Sequence, residues 1–156
     1  MARVIFVDTS VLLNLLDVPN RNADREAVGA EYRRRISEGQ LILPLSTVIE
    51  TGNHIAHVAD GGARRTCAET FVEMLRMIVA DKTPFVLHEM GWDADFLSRL
   101  IGGGSTAVSF VDHLTQGLIG CGDLSIIVER DRYLARVARG TTAAIWTLDA
   151  GLLAYT

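Results

Sequence analysis

The chain has 156 residues, a formal net charge of −4 and 49% hydrophobic residues, enough for one sizeable core and too short for two comfortable ones, so a single domain over residues 1–156 is expected. The acidic balance gives no global attraction to nucleic acid and counts against a protein that simply coats a duplex. The longest apolar runs fall far short of the roughly 20 residues that cross a bilayer. The N-terminus lacks the charged and apolar regions of a secretory signal, so a cytoplasmic protein with no membrane partner is expected. Cys67 and Cys121 stand far apart without a paired spacing, which argues against a zinc site or a disulfide framework.

Val4, Ile5, Phe6 and Val7 form an unbroken apolar run, the pattern of a strand buried on both faces. The run ends at Asp8. Thr9 and Ser10 then lead into Val11, Leu12, Leu15 and Leu16, whose spacings suit a helix with one apolar face. Asp8 therefore stands at a strand-to-helix junction, which in an open α/β sheet faces the crevice at the carboxyl ends of the strands. Plain helix capping by Asp or Ser fits the same residues, and further acids at matching junctions distinguish the two readings.

Residues 19–24 form a polar turn, and residues 23–38 a helix with Val28, Tyr32 and Ile36 stacked at i+4 spacing and Gly39 as its stop. Residues 41–44 make a second buried strand, with Pro44 at its end. A helix over residues 48–58 follows, capped by Ser46 or Thr47, with Val48, Gly52, Ile55, Ala56 and Ala59 on its inner face. Glu50 lies off that stripe, and its place three residues after Thr47 fits a capping box as well as a crevice acid. His54 and His57 share its polar face, which makes Glu50, His54 and His57 an alternative metal site.

Residues 63–80 carry an amphipathic stripe of Ala68, Phe71, Val72, Leu75, Ile78 and Val79. After a turn at 81–84, residues 85–87 make a short strand, residues 92–101 a helix, and Gly102, Gly103 and Gly104 a flexible loop. Neither a phosphate-cradling GxxxxGK motif nor a GxGxxG motif occurs, which disfavours nucleotide folds of those kinds. Val108, Val111, Leu114 and Leu118 line one further helix. Gly120 and Gly122 break it, and Asp123 opens another helix with Leu124, Ile127, Val128, Leu134 and Ala138 inside. Asp131 shares that stripe about 12 Å further along the axis, too far to join Asp123 on one ion, and is expected as a buried acid paired with an arginine. Residues 143–147 are the last buried strand, and Asp149 leads into a short final helix. Three basic clusters, at residues 33–35, at Arg64 with Arg65, and at Arg130, Arg132, Arg136 and Arg139, are expected as solvated helix faces.

Asp8, Thr9, Ser10 and Asn14 after the first strand, Glu50 after the second, Gly122 with Asp123 opening a late helix, and Trp146, Thr147, Leu148 and Asp149 together resemble the PIN-domain nucleases. The resemblance spans nearly the whole chain. It implies a three-layer α/β/α fold with a short, mostly parallel central sheet. It also implies that Asp8, Glu50, Asp123 and Asp149 converge on Mg²⁺ or Mn²⁺, with Thr9, Ser10, Asn14 and Thr147 as supporting polar groups. Asp131, nearer than Asp123 to Asp149, is the competing third acid. Hard divalent cations prefer oxygen ligands and keep several waters, one of which becomes the nucleophile for in-line attack on phosphorus. The activity so implied is endoribonucleolytic, with RNA as substrate and 5′-phosphate and 3′-hydroxyl product ends. The toxin members of toxin–antitoxin pairs add an antitoxin partner, and the family suggests a homodimer.

Two other classes compete. An aspartate-nucleophile phosphatase would use Asp8 but wants a second aspartate at position 10, where this chain has Ser10. A PIN-like RNA- or protein-binding module would keep the fold and bind no metal.

Overall fold

The computed structural model describes residues 2–89 and 91–156. Four strands, β1 (Arg3–Val7), β2 (Gln40–Ile42), β3 (Phe85–Val86) and β4 (Thr142–Trp146), form one parallel sheet in the order β3-β2-β1-β4. Helices α1 (Thr9–Leu15), α2 (Arg25–Glu38), α3 (Leu45–Ala56) and α4 (Gly61–Val79) cover one face. The opposite face carries α5 (Ala94–Ile101), α7 (Cys121–Arg136) and α8 (Ala150–Leu153), with the short α6 (Phe110–Gln116) beside them. This is the expected three-layer α/β/α arrangement, with every strand pair parallel. Among the described residues no helix is long and apolar enough to cross a membrane.

Alternation along the strands builds both cores. Ile5, Val7, Leu41, Leu43 and Trp146 face one helical layer, while Val4, Phe6, Ile42 and Ile145 face the other. A polar side chain in β1 would therefore be buried whichever way it pointed, which is why the strand reads as an unbroken apolar run. Each fully buried Ile or Phe contributes about 1.5–3 kcal/mol relative to exposure. The order of strands also places the crevice. From β1 the chain steps outward through β2 to β3, then returns to pair β4 on the other side of β1, so the topological switch point lies at the carboxyl end of β1.

Several helices differ from expectation in register or facing. Helix α3 begins at Leu45, with Pro44 in the cap position, and not at residue 48. Thr47 is unavailable for capping because its buried hydroxyl donates to the Val7 carbonyl at 2.8 Å, tying α3 to the end of β1. The buried side of α3 is Thr47, Thr51 and Ile55, while Ala56 and Ala59 are exposed. In α4 the buried ridge is Cys67, Phe71 and Ile78, and Val72 and Val79 point outward. Helix α5 is capped by Asp93, which accepts the Phe96 N–H, and leaves Trp92 outside and exposed. Helix α6 turns Phe110 and His113 inward and leaves Val111, Leu114 and Leu118 exposed. His113 lies in that interior with its Nε2 hydrogen-bonded to the Thr106 hydroxyl at 2.8 Å and its buried Nδ1 without a partner among the described residues.

The three consecutive glycines form an ordered turn and not a flexible loop. Gly103 has φ 81°, and a Cβ there would stand 1.6 Å from the Val108 carbonyl oxygen. The following 3₁₀ turn, Gly104–Thr106, presents the Ser105 N–H and hydroxyl to Asp131 at 2.9 and 3.1 Å. Leu134 and Ala138 of the expected inner stripe are exposed, whereas Arg130 and Arg132 are buried. Arg132 donates to the Gly91 carbonyl and to Asp93, and Arg130 to the Tyr155 carbonyl, so these two arginines fasten α7 to its neighbours and are not part of a solvated face.

Candidate metal centre

Asp8, Glu50, Asp123 and Asp149 line a single crevice of about 330 Å³ at the carboxyl end of the sheet, together with Thr9, Ser10, Asn14, Arg21, Asp24 and His54. Four elements deliver the acids: Asp8 leaves β1, Glu50 projects from α3, Asp123 lies in the first turn of α7, and Asp149 follows β4. Asp131 is elsewhere, in a separate depression beside Gly104 and Ser105. The third acid of the site is therefore Asp123.

Asp8 is buried and capped onto α1. Its Oδ2 accepts from the Ser10 hydroxyl at 2.6 Å and from the Thr147 hydroxyl at 2.8 Å. Those hydroxyls in turn accept backbone N–H groups, Leu148 to Ser10 and Asp149 to Thr147, each at 2.9 Å. The two relays lock the exit of β4 against the exit of β1 and fix the orientation of the Asp8 carboxylate. Its other oxygen, Oδ1, is buried without a hydrogen-bond partner. A buried carboxylate oxygen left bare costs about 1–3 kcal/mol or more, so its persistence points to a ligand.

Glu50 does not cap its helix. Its Oε2 accepts from the Thr9 hydroxyl at 3.0 Å, and its Oε1 lies where a Cβ on residue 122 would come within 1.8 Å. Gly122 is thus the residue that lets Glu50 rest against the start of α7. Asp149 caps α8 through Oδ1, which accepts from the Gly151 and Leu152 N–H groups at 2.8 and 3.1 Å. Asp123 is held up at about 7 by burial first, then by the charges of Asp8, Asp149 and Glu50. Among the described residues no lysine, arginine or histidine forms an ion pair with any of the four acids.

Asn14 proves to be a clamp. Its Nδ2 donates to the Ser10 carbonyl at 2.9 Å and its Oδ1 accepts the Asp24 N–H at 3.0 Å, holding the loop between α1 and α2 over the crevice. That loop carries Arg21, which the sequence pattern passed over as part of a polar turn. Its position one helix after a junction acid is the signal that could have found it. The alternative site of Glu50, His54 and His57 does not form: His54 reaches the crevice, but exposed His57 turns its Nδ1 to the Asn53 carbonyl at 2.7 Å. Burial, and then Arg21, push the His54 imidazole below its usual value.

The donor set fits a hard divalent cation, since it is all carboxylate oxygen, it includes the bare Asp8 Oδ1, and among the described residues none of the four acids is held in an ion pair. Among the described residues no three His, Cys, Asp or Glu side chains stand close enough together to hold an ion as they are placed. Acids that line a crevice without closing on each other suit an ion such as Mg²⁺, which keeps several waters and takes only one or two direct carboxylates. No protein-family model matches the chain, and no curated protein and no solved structure matches it either.

Proposed function

We propose that the protein is a Mg²⁺- or Mn²⁺-dependent endoribonuclease of the PIN type, hydrolysing phosphodiester bonds at the Asp8, Glu50, Asp123 and Asp149 crevice. The observation that carries this reading is the convergence of four acids from four separate elements at the switch point of a parallel sheet, none of them, among the described residues, held in an ion pair.

Asp8 and its three companions would hold the ion, with Thr9, Ser10 and Thr147 fixing Glu50 and Asp8. A bound Mg²⁺ or Mn²⁺ supplies a water of lowered pKa and offsets charge developing on the phosphate oxygens. The chain's own part is positional. Hydroxyl relays keep the Asp8 carboxylate from rotating, and the Asn14 clamp holds the α1–α2 loop beside it. Asp123, whose carboxyl is held up at about 7, would be one of the residues that hold the ion and would favour it in its ionised form, so metal affinity is expected to rise as pH passes through neutrality.

The aspartate-nucleophile phosphatase reading gains nothing from this geometry, because the Ser10 hydroxyl is committed to Asp8 and cannot serve as an acid. Cleavage of an unstructured RNA in Mn²⁺, Mg²⁺ and chelator, with product ends mapped, tests the proposal. Metal-dependent cuts leaving 5′-phosphates are expected. A protein that neither cleaves RNA nor melts higher in millimolar Mn²⁺ would instead be the metal-free binding module.

A further inference from the structure

Resting on the nuclease reading, we infer that the substrate strand leaves the acid crevice over the α1–α2 loop and along α2, its phosphates met by Arg21 and then Arg33. Both residues are exposed, and among the described residues neither has a carboxylate within ion-pair distance.

The two depressions that hold them adjoin at Asn14. Asn14 lines the acid crevice with Arg21, and it also lines a second groove with Arg25, Gly29 and Arg33. The groove floor is open at Gly29, where the nearest heavy atom to a Cβ would be the Arg33 guanidinium at 3.9 Å. The neighbours of Arg33 in sequence are occupied. Arg34 is held by Glu31 and Glu38, and Arg35 by Glu31 while its guanidinium lies over the Trp146 ring. Among the described residues Arg33 is the one of the three consecutive arginines without a carboxylate partner, and it is the one that lines the groove. Arg25 is engaged by Asp17 at 3.1 Å, which steadies the loop and not a ligand.

The loop itself is stiffly built. Asn14 accepts the Asp24 N–H, Asn22 donates to Asp17 at 2.7 Å, and the Arg21 N–H is bonded to the Val18 carbonyl at 3.0 Å. Arg21 is thereby presented at the rim of a strongly acidic crevice yet is paired with none of its acids. An anion bridging that rim would be approached by the cation from one side and by the metal centre from the other, as a phosphodiester backbone crossing from site to groove requires.

Binding of a fluorescent single-stranded RNA of about 12 nucleotides, measured in Ca²⁺ between about 50 and 200 mM salt, tests the track. Arg21→Ala and Arg33→Ala are each expected to weaken binding by about 3- to 10-fold and to lower the slope of log affinity against log salt by about 0.7. Arg34→Ala, from the same triplet, is expected to leave both unchanged, and Arg21→Lys to restore the slope. Equal behaviour of all three alanine variants, or absence of RNA binding by the wild type, overturns the inference. Melting in Mn²⁺ separates this from the metal centre. A Mn²⁺-induced rise kept in every variant without RNA binding rejects the track alone, whereas RNA binding with no Mn²⁺ response rejects the metal reading alone.

Discussion

Helix α7 carries acids that the fold treats in opposite ways. At its crevice end Asp123 shares space with three other carboxylates and is held up at about 7 by burial and by them. Two turns along, Glu129 is bonded to His88 Nε2 at 2.5 Å, and Asp131 accepts from Ser105 and stands 3.4 Å from Arg130. The difference teaches how to separate structure from function in one element. Matched acids lower the energy of the fold, while unmatched ones raise it, the pattern of residues kept for function at a cost in stability.

Breaking each side of that contrast gives the largest expected effects. Asp8→Asn keeps the shape and a capping oxygen but removes a charged ligand, so Mn²⁺-dependent RNA cleavage should fall by at least about 1,000-fold, roughly 4 kcal/mol at the transition state. Its melting temperature in chelator should match or exceed that of the wild type. Glu129→Ala strips His88 of its buried acceptor and should cost about 2–3 kcal/mol in urea unfolding, with the cleavage rate per folded molecule preserved. Were Asp8→Asn to lose stability and Glu129→Ala to lose activity, the division would be reversed.

A smaller change probes the seat of Glu50. Gly122→Ala puts a methyl group where Glu50 Oε1 now lies, so the carboxylate must swing away from the start of α7. Cleavage should drop about tenfold, close to 1.4 kcal/mol, with thermal melting near that of the wild type. Unchanged cleavage kinetics would remove Glu50 from the site.

The smallest effect lies in the pH dependence of the metal-free protein. The Asp123 carboxyl is raised from 3.8 in its ordinary state to about 7 in the fold, so the native state binds its proton more tightly than the unfolded chain does. The stability it contributes is complete below about pH 4 and is lost as pH rises through 7. Because Asp123 is only partly buried, solvent screening holds this to the order of 1 kcal/mol, or about 3 °C in melting temperature. Melts in chelator should therefore fall between pH 5 and pH 8 for the wild type and fall less steeply for Asp123→Asn. Added Mn²⁺ should raise the wild type and leave the variant nearly unmoved.

Legibility in the sequence followed the range of the interaction concerned. Asp8, Asp123 and Asp149 could be found because each sits within one or two residues of a change from strand or glycine to helix, a local signal. Glu50 was ambiguous, since the capping-box spacing from Thr47 is a local rule, and what cancels it is a hydrogen bond from Thr47 to Val7 in another element. His113 was hidden by its apolar neighbours Val111, Leu114 and Leu118, whose periodicity indicated a face but not that the other one would be buried. Arg21 was marked only by its place in the loop one helix after a junction acid. Its place above the crevice depends on Asn14 bonding to Asp24 across the loop.

By itself the sequence determined the alternation of buried strands and helices, hence a parallel α/β sheet, and with it the crevice end at which junction acids gather. Those features depend on apolar periodicity and on residues adjacent along the chain. The tertiary structure alone decided which acids share a cavity, that Asp131 ties down the glycine turn while Asp123 lines the crevice, and that among the described residues Arg33 has no carboxylate partner while Arg34 and Arg35 are engaged. The physical reason is that charge pairing and burial are set by neighbours distant in sequence, so the same carboxylate or guanidinium is structural or available according to what the fold brings against it.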